Sequence, residues 1–321
     1  MIFSDIINRK KFLALKIIII IILLFVFSIF QLSLPPSDFP ENIEVNIPNN
    51  TGLSRIADIL YENKIIKSPF LFKIETVFLG GYKKILAGDY LFKEKQDSIT
   101  VAMRLIKGIH GLDRIKITIP EGANIHNIAD IVSKSIPKFD KKVFLDIAST
   151  SEGYLFPDTY FFYTNATAPL VFETLHDAFD QRISSIINNI VLSGRTKEDI
   201  VNMASIIEKE ANDKEDRRII SGILWKRLDN DMPLQVDVSI IYITSRTSVT
   251  IEDTKIDSPY NTYKNKGLPI TPISNPGLDA ILASAGPTPS KYFYYLSDKD
   301  GVTHYAIDYE GHLENKRKYL K

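Results

Sequence analysis

The stretch VNIPNNTGLSRIADI at residues 45–59 recurs without a gap as ITIPEGANIHNIADI at residues 117–131, displaced by 72 residues. Each copy opens with apolar residues at alternate positions, continues through Pro, and contains the identical tetrad Ile-Ala-Asp-Ile. Alternation is typical of a half-buried strand, and Pro ends a strand because it has no N–H to donate to a sheet. The apolar spacing in the second half of each copy is that of an amphipathic helix. The sequence therefore predicts a strand-turn-helix unit that occurs twice.

The first copy continues into further elements. Ser68-Pro69 is a favourable helix start, Gly80-Gly81 would end that helix, and residues 87–92 alternate as a strand. The resulting strand-helix-helix-strand order resembles the layout of a LysM-type module, a small fold that holds N-acetylglucosamine chains in many cell-wall proteins. The alternative is a small α+β spacer without a ligand, and the residues do not choose between the two.

A long apolar run lies near the N-terminus, after Arg9, Lys10, Lys11 and Lys16 and before Asp38. About 20 apolar residues cross a bilayer, so residues 17–36 are long enough for an anchor. A cleavable signal peptide is the alternative, but no pair of small residues suited to a signal peptidase follows the run. Because the basic residues precede the run, residues 1–16 are expected in the cytoplasm and the remainder outside, on the periplasmic side of the inner membrane. Residues 37–44 would form a stalk.

Composition excludes several functions. Lys plus Arg and Asp plus Glu number 39 each, so no net positive charge would attract nucleic acid. The chain has no Cys, and its five His are not spaced as zinc ligands, so we expect neither a metal site nor a cofactor.

An aromatic loop covers residues 152–163, EGYLFPDTYFFY. Its rings could stack on sugar faces while its polar side chains bind hydroxyl groups, or the loop could simply pack against a core. On the first interpretation the substrate-binding candidates are Glu152, Tyr154, Asp158 and Tyr160.

A candidate acid–base residue lies on a predicted helix that begins after Thr196, whose side chain would cap it. Glu208 and Glu210 flank the apolar stripe of this helix on opposite sides, while Lys209 points away from it. A carboxyl group at the margin of an apolar face is partly desolvated, which raises its pKa and suits a general acid. The spacing alone does not choose between the two carboxyls, and both could merely frame the helix.

Polar, turn-rich segments follow this helix and could form loops that build a site. They are LQVD at 234–237, SPYNTY at 258–263, GLP at 267–269 and ISNPGLDAI at 273–281. They contribute six further substrate-binding candidates: Gln235, Asp237, Tyr260, Asn261, Tyr263 and Asn275.

Taken in order, EGYLFPDTY, ASIIEKEA, LQVD, SPYNTY, GLP and ISNPGLDAI make the chain resemble the YceG-like family from residue 152 to about residue 307. The resemblance implies cleavage within peptidoglycan glycan strands, between N-acetylmuramic acid and N-acetylglucosamine, with a 1,6-anhydro end as product. It also implies Glu208 as the catalytic residue and peptidoglycan synthases as protein partners. The sequence departs from the family at Val238-Ser239 and Ile270-Thr271, and roles for His304 and His312 have little support.

One carboxyl group suffices for this reaction, because the muramic 6-hydroxyl can attack its own anomeric carbon. A glycan hydrolase would need a second carboxylate, for which Glu152, Asp158 and Asp237 are candidates. A non-catalytic, membrane-anchored peptidoglycan-binding protein is the other alternative. We expect an α+β fold with one transmembrane helix, a LysM-like region at residues 45–147 and a catalytic domain at residues 148–321.

Overall fold

The computed structural model describes residues 2–137, 139–211 and 213–320. It confirms a mixed α+β chain, and its contacts divide the chain into two units, Met1–Asp113 and Arg114–Lys321.

The first unit begins with the predicted apolar helix. Helix α1 runs over Ile2–Ser33, and its segment Leu15–Ser33 has a mean hydropathy of 2.8 with no part buried in the protein. The helix is therefore long and apolar enough to cross a membrane. It ends before Pro35 and Pro36, so the last three residues of the predicted 17–36 segment lie beyond the helix, because proline cannot continue the hydrogen-bond ladder.

The remainder of the first unit has the predicted strand-helix-helix-strand order followed by one more helix. Its elements are β1 (Ile43–Ile47), α2 (Leu53–Glu62), α3 (Pro69–Phe78), β2 (Gly88–Phe92) and α4 (Ser98–Lys107). Ser68 caps α3 by accepting from the Leu71 N–H, as the Ser-Pro pair indicated. β1 and β2 pair antiparallel, from Ile43 opposite Phe92 to Ile47 opposite Gly88. Their inward side chains join those of α2, α3 and α4 in one core.

The second unit opens with the second copy of the repeat. Its elements are β3 (Arg114–Thr118), α5 (Ile125–Ser135), α6 (Lys141–Ala148) and β4 (Thr159–Tyr163), with β3 and β4 antiparallel. The predicted boundary between residues 147 and 148 thus falls inside this strand-helix-helix-strand motif, whose two strands pair across it. The resemblance of either copy to a LysM module stays a prediction.

A helical body follows, with one further hairpin. Its elements are α7 (Ala168–Ser185), α8 (Ile187–Ser193), α9 (Lys197–Glu210), α10 (Lys214–Asp229), α11 (Asp237–Thr244), α12 (Leu278–Ala285), β5 (Tyr294–Ser297), β6 (Thr303–Ala306) and α13 (Tyr309–Tyr319). Helix α9 is the centre of this body, since it packs on α10, α11 and α12. All its residues from Ile200 to Glu208 are buried. The long loops between α11 and α12 close over one side of this core, which places polar loop residues beside the end of α9.

Candidate active site

Helix α9 places Glu208 in a buried position. The side chain of Thr196 caps the helix by accepting from the Asp199 N–H at 3.1 Å, as the sequence predicted. The apolar stripe is buried, Lys209 is exposed, and the Glu208 side chain is only 4% exposed. A carboxyl group in this position needs partners within the protein.

Glu208 has two such partners, one for each carboxylate oxygen. Arg217, on α10, donates from Nη2 to Oε1 at 2.6 Å, and its Nε donates to the Ala211 carbonyl at 2.9 Å. The N–H of Gly277 donates to Oε2 at 2.9 Å. Because Gly277 is the N-cap of α12, the carboxyl group also lies at the positive end of that helix dipole.

Opposing influences act on the pKa of Glu208. Burial is the largest and raises the pKa, whereas the Gly277 N–H and the Arg217 charge lower it, with a net rise. The nearby Glu121 carboxylate raises the pKa further. Glu208 can therefore hold a proton closer to neutral pH than an exposed glutamate, and its ionised form has a cation and an N–H ready to stabilise it. These are the properties of a group that acts first as an acid and then as a base.

Glu121 is a site residue that the sequence analysis missed. It lies in the turn after β3 and against Gly277, where a Cβ would come within 2.9 Å of three Glu121 side-chain atoms. A difference between the two repeat copies would have pointed to this residue. The first copy has Asn49 at the equivalent place, so the carboxylate is specific to the copy that reaches Glu208.

The turn bearing Glu121 is held close to α9 by a glycine and an asparagine. Gly122 has a φ of +73°, and a Cβ there would lie 3.4 Å from Glu208 Cγ. The backbone of Asn275 accepts from the Gly122 N–H and donates to the Ala123 carbonyl, both at 2.9 Å. Glycine is therefore favoured by the left-handed backbone and by the close approach to Glu208.

Asn275 also connects Glu152, one of the predicted substrate-binding residues, to this turn. The Asn275 amide donates to Glu152 Oε1 at 2.9 Å and accepts from the N–H groups of Gly153 and Leu155. Glu152 accepts a further bond from the Ile125 N–H at 3.2 Å. Burial raises the pKa of Glu152 to about 7, against the hydrogen bonds that favour its ionised form. Asn275 is fully buried, so its amide acts within the protein.

A cavity of about 350 Å³ opens beside Glu152 and Tyr154. Asn202, on α9, lines the same cavity and was not among the predicted residues. Its Nδ2 donates to the Pro269 carbonyl at 2.7 Å, while its buried Oδ1 has no hydrogen-bond partner in the described part of the chain. The hydroxyl of Tyr260 hydrogen-bonds the hydroxyl of Thr271, another lining residue, at 2.8 Å. The structure thus brings two predicted residues, Glu152 and Tyr154, to one cavity, and Tyr260 contacts one of its lining residues.

A second group of predicted residues lies around the start of α11. Tyr263 donates to Asp237 Oδ1 at 2.5 Å, and its N–H donates to Asn261 Oδ1 at 2.9 Å. Gln235 is exposed and has a positive φ of +52°. Asn261 is fully buried, and its Nδ2 donates to two backbone carbonyls, so it shapes the loop.

Glu210 faces this second group. The hydroxyl of Tyr295 donates to Glu210 Oε2 at 2.8 Å. Burial raises the pKa of Glu210 to about 7, and the nearby Asp237 charge adds to that rise. Glu208 and Glu210 therefore occupy different surroundings, as their opposite sides of α9 predicted.

The other two predicted residues are found at β4. Asp158 is exposed and pairs with Arg182 at 3.2 Å, and the Tyr160 hydroxyl donates to the Phe156 carbonyl at 2.6 Å. Both side chains have partners in the protein and lie in neither of the two groups above. Over residues 2–137, 139–211 and 213–320, His, Asp and Glu side chains do not gather in threes as a metal site would require.

The sequence profile of the YceG-like family matches residues 45–318. A Bacillus subtilis protein named endolytic murein transglycosylase is 30% identical over 88% of this chain and 86% of its own length. One of the same name from Streptococcus pneumoniae is 28% identical over 87% of this chain and 58% of its own length. A crystal structure of a YceG-like protein from Listeria monocytogenes has a TM-score of 0.57 and 29% identity, covering 85% of this chain and 99% of that one. A profile match over most of the chain and a relative with this coverage establish that the chain belongs to the YceG-like family.

Proposed function

We propose that this protein is a lytic transglycosylase that cleaves peptidoglycan glycan strands internally, between N-acetylmuramic acid and N-acetylglucosamine, and leaves 1,6-anhydro ends. The observation that carries the proposal is the buried Glu208 carboxyl, held by Arg217 and by the α12 N-terminus. The names of its relatives support the activity class. The reaction requires no cofactor.

The reaction balances with one carboxyl group. Protonated Glu208 gives its proton to the glycosidic oxygen as the bond from that oxygen to the muramic anomeric carbon breaks. The muramic 6-hydroxyl oxygen bonds to the same carbon, and the Glu208 carboxylate takes the hydroxyl proton. Arg217 stabilises the carboxylate between the two transfers, and Glu208 finishes protonated without consumption of water.

The cavity beside Glu152 and Tyr154 is the proposed contact for one part of the strand. Tyr154 can stack on a sugar face, and the unpartnered Asn202 Oδ1 can accept from a substrate N–H or O–H. A glutamate with a pKa of about 7 can serve as donor or acceptor there.

The exposed residues around α11 are proposed to hold another part of the strand. Gln235, Asp237 and Tyr263 offer a polar surface there, while Asn261 and Asn275 are assigned positioning roles because both are buried. Substrate binding is also proposed for Asp158 and Tyr160.

A glycan hydrolase is the second candidate, and the position of Glu121 favours it over a simple binding protein. A second carboxylate near Glu208 could activate a water, which would leave reducing ends. Mass spectrometry of products from purified glycan strands separates the two reactions, because an anhydro end lacks one water molecule. We expect anhydro ends from the wild type and from Glu121→Gln. Reducing ends from the wild type would establish hydrolysis instead.

We further propose that α1 anchors the protein in the cell membrane with the body from Asp38 onward outside the cytoplasm. The basic residues before the span motivate this orientation. Protease added to intact spheroplasts should digest the body, and full protection of the body would refute the orientation. Peptidoglycan synthases are the proposed protein partners, to be tested by crosslinking in cells.

A further inference from the structure

Helix α3 is apolar on both sides. Its inner side buries Leu71, Phe72, Glu75 and Thr76, and Phe72 belongs to the core of the first unit. Its outer side, hereafter the α3 apolar face, consists of Phe70, Ile74, Val77 and Phe78. Phe78 is 90% exposed and Phe70 70% exposed. An apolar helix face is normally covered by another part of the protein, by a partner or by lipid.

The second repeat copy shows that the fold itself does not require this face. Helices α3 and α6 begin at Pro69 and Lys141, and therefore at the same 72-residue offset as the repeat. At the positions equivalent to the α3 apolar face, the second copy has polar residues: Lys142, Asp146, Ser149 and Thr150. Residues that face water are usually polar. The exposed apolar residues of the first copy therefore indicate that this face contacts something other than water.

The α3 apolar face lies beside the end of the predicted span. Ser33, the last residue of α1, donates to Glu75 Oε1 at 3.0 Å, and Lys67 Nζ donates to the Gln31 carbonyl at 3.1 Å. Ile74 and Phe78 are one and three residues from Glu75, which is about 1.5–4.5 Å along the helix axis.

Length places this contact at the membrane surface. The apolar segment Leu15–Ser33 has 19 residues. At about 1.5 Å per residue it spans about 28 Å, close to the roughly 30 Å thickness of a hydrocarbon core. Ser33 would then lie where hydrocarbon meets headgroups, with α3 in the headgroup layer.

We propose that the α3 apolar face inserts into the leaflet from which α1 emerges. The occupant of this surface is lipid, with Phe70 and Phe78 as the main anchors. Lys73 borders the face and can extend its amine to a lipid phosphate, as lysines at membrane interfaces do. The first unit is thus attached to the membrane by its span and by α3, which fixes its tilt on the membrane. The proposal rests on α1 crossing the membrane.

The absence of native cysteine allows a direct test on the full chain. Phe78→Cys, Phe25→Cys and Asp58→Cys variants would each be labelled with a nitroxide and reconstituted in phosphatidylethanolamine–phosphatidylglycerol vesicles. Electron paramagnetic resonance would compare collisions with oxygen, which concentrates in lipid, and with a water-soluble nickel chelate. Position 25 is the reference within the span. Asp58, exposed on α2, is the matched water-facing control in the same unit.

We expect oxygen collisions to exceed nickel collisions at position 78, as at position 25, and the probe at 58 to show the reverse. Nickel collisions at 78 equal to those at 58 would overturn the proposal while the probe at 25 still reported the span. An immobile probe at 78, shielded from both reagents, would mean a protein covers the face and would also overturn it. Nickel access at position 25 as well would refute the anchor itself.

Discussion

Replacement of Glu208 by Gln separates the acid role proposed for this residue from its structural role. The variant keeps the size of the side chain and an oxygen that can accept from Arg217. It loses the transferable proton, and an NH₂ group replaces the oxygen that accepts from the Gly277 N–H. Two donors then face each other in a buried place.

The structure gives a magnitude for each loss. One buried hydrogen bond replaced by an unpaired donor costs about 1–3 kcal/mol of folding stability. A free energy of unfolding of about 5 kcal/mol is the low end for domains. A loss of about 3 kcal/mol from that value would leave about 2 kcal/mol, which is roughly a 30-fold excess of folded over unfolded protein. General acid–base catalysis is worth about 10²–10⁴-fold in rate, so activity should fall to the limit of detection while the protein stays folded.

The assay is the release of anhydro-muropeptides by purified full-length variants, with melting temperatures as the folding control. Glu210→Gln is the matched variant on the same helix. It should keep most of its activity, because Glu210 contacts Tyr295 and lies on the other side of α9. A folded Glu208→Gln protein that formed anhydro ends at nearly the wild-type rate would refute the assignment, and Glu210, Glu152 and Glu121 would be tested next.

Three further outcomes are expected. Arg217→Gln removes a charge that lowers the pKa of Glu208, so the alkaline limb of the pH–rate profile should move to higher pH, and an unchanged limb would contradict the pairing. Asn275→Ala leaves the buried hydrogen-bond partners of this amide unpaired. It should lower the free energy of unfolding by at least about 2 kcal/mol, which calorimetry would show as a melting temperature lower by about 4 °C or more. The pKa of Glu152 is about 7 when folded against an ordinary 4.5, so the folded chain binds more protons between these values. Its free energy of unfolding should therefore fall as pH rises from about 4.5 to 7, by up to about 3 kcal/mol, and denaturant titrations should show a shallower fall in Glu152→Gln.

Local patterns in the sequence were enough to predict several elements. The Ile-x-Ile and Pro signals predicted β1 and β3, the Ser68-Pro69 pair predicted the start of α3, and Thr196 predicted the cap of α9. Each depends on interactions between residues a few positions apart, which a linear pattern records. The α9 periodicity also predicted the different sides of Glu208 and Glu210.

The boundary of the repeat was decided by distant pairing. The sequence grouped residues 45–147 together and separated them from the aromatic loop, whereas β3 pairs with β4, which lies within that loop. The paired residues are 41 to 49 positions apart in the chain. Pairing at such a separation depends on which strand edges meet in the folded chain, and the pattern of one strand does not identify its partner.

The site likewise combines both kinds of information. In the sequence by itself, helical spacing gave Glu208 and Glu210 as acid–base candidates, the family motifs pointed to Glu208, and composition supplied the apolar span. Only the tertiary structure brought Arg217, Gly277 and Glu121 to that carboxyl group, and only it buried Asn275 among backbone groups from two distant segments. The pKa of a carboxyl group depends on burial and on charges a few ångströms away in space, and those neighbours are set by how α9, α10, α12 and the β3 turn pack together.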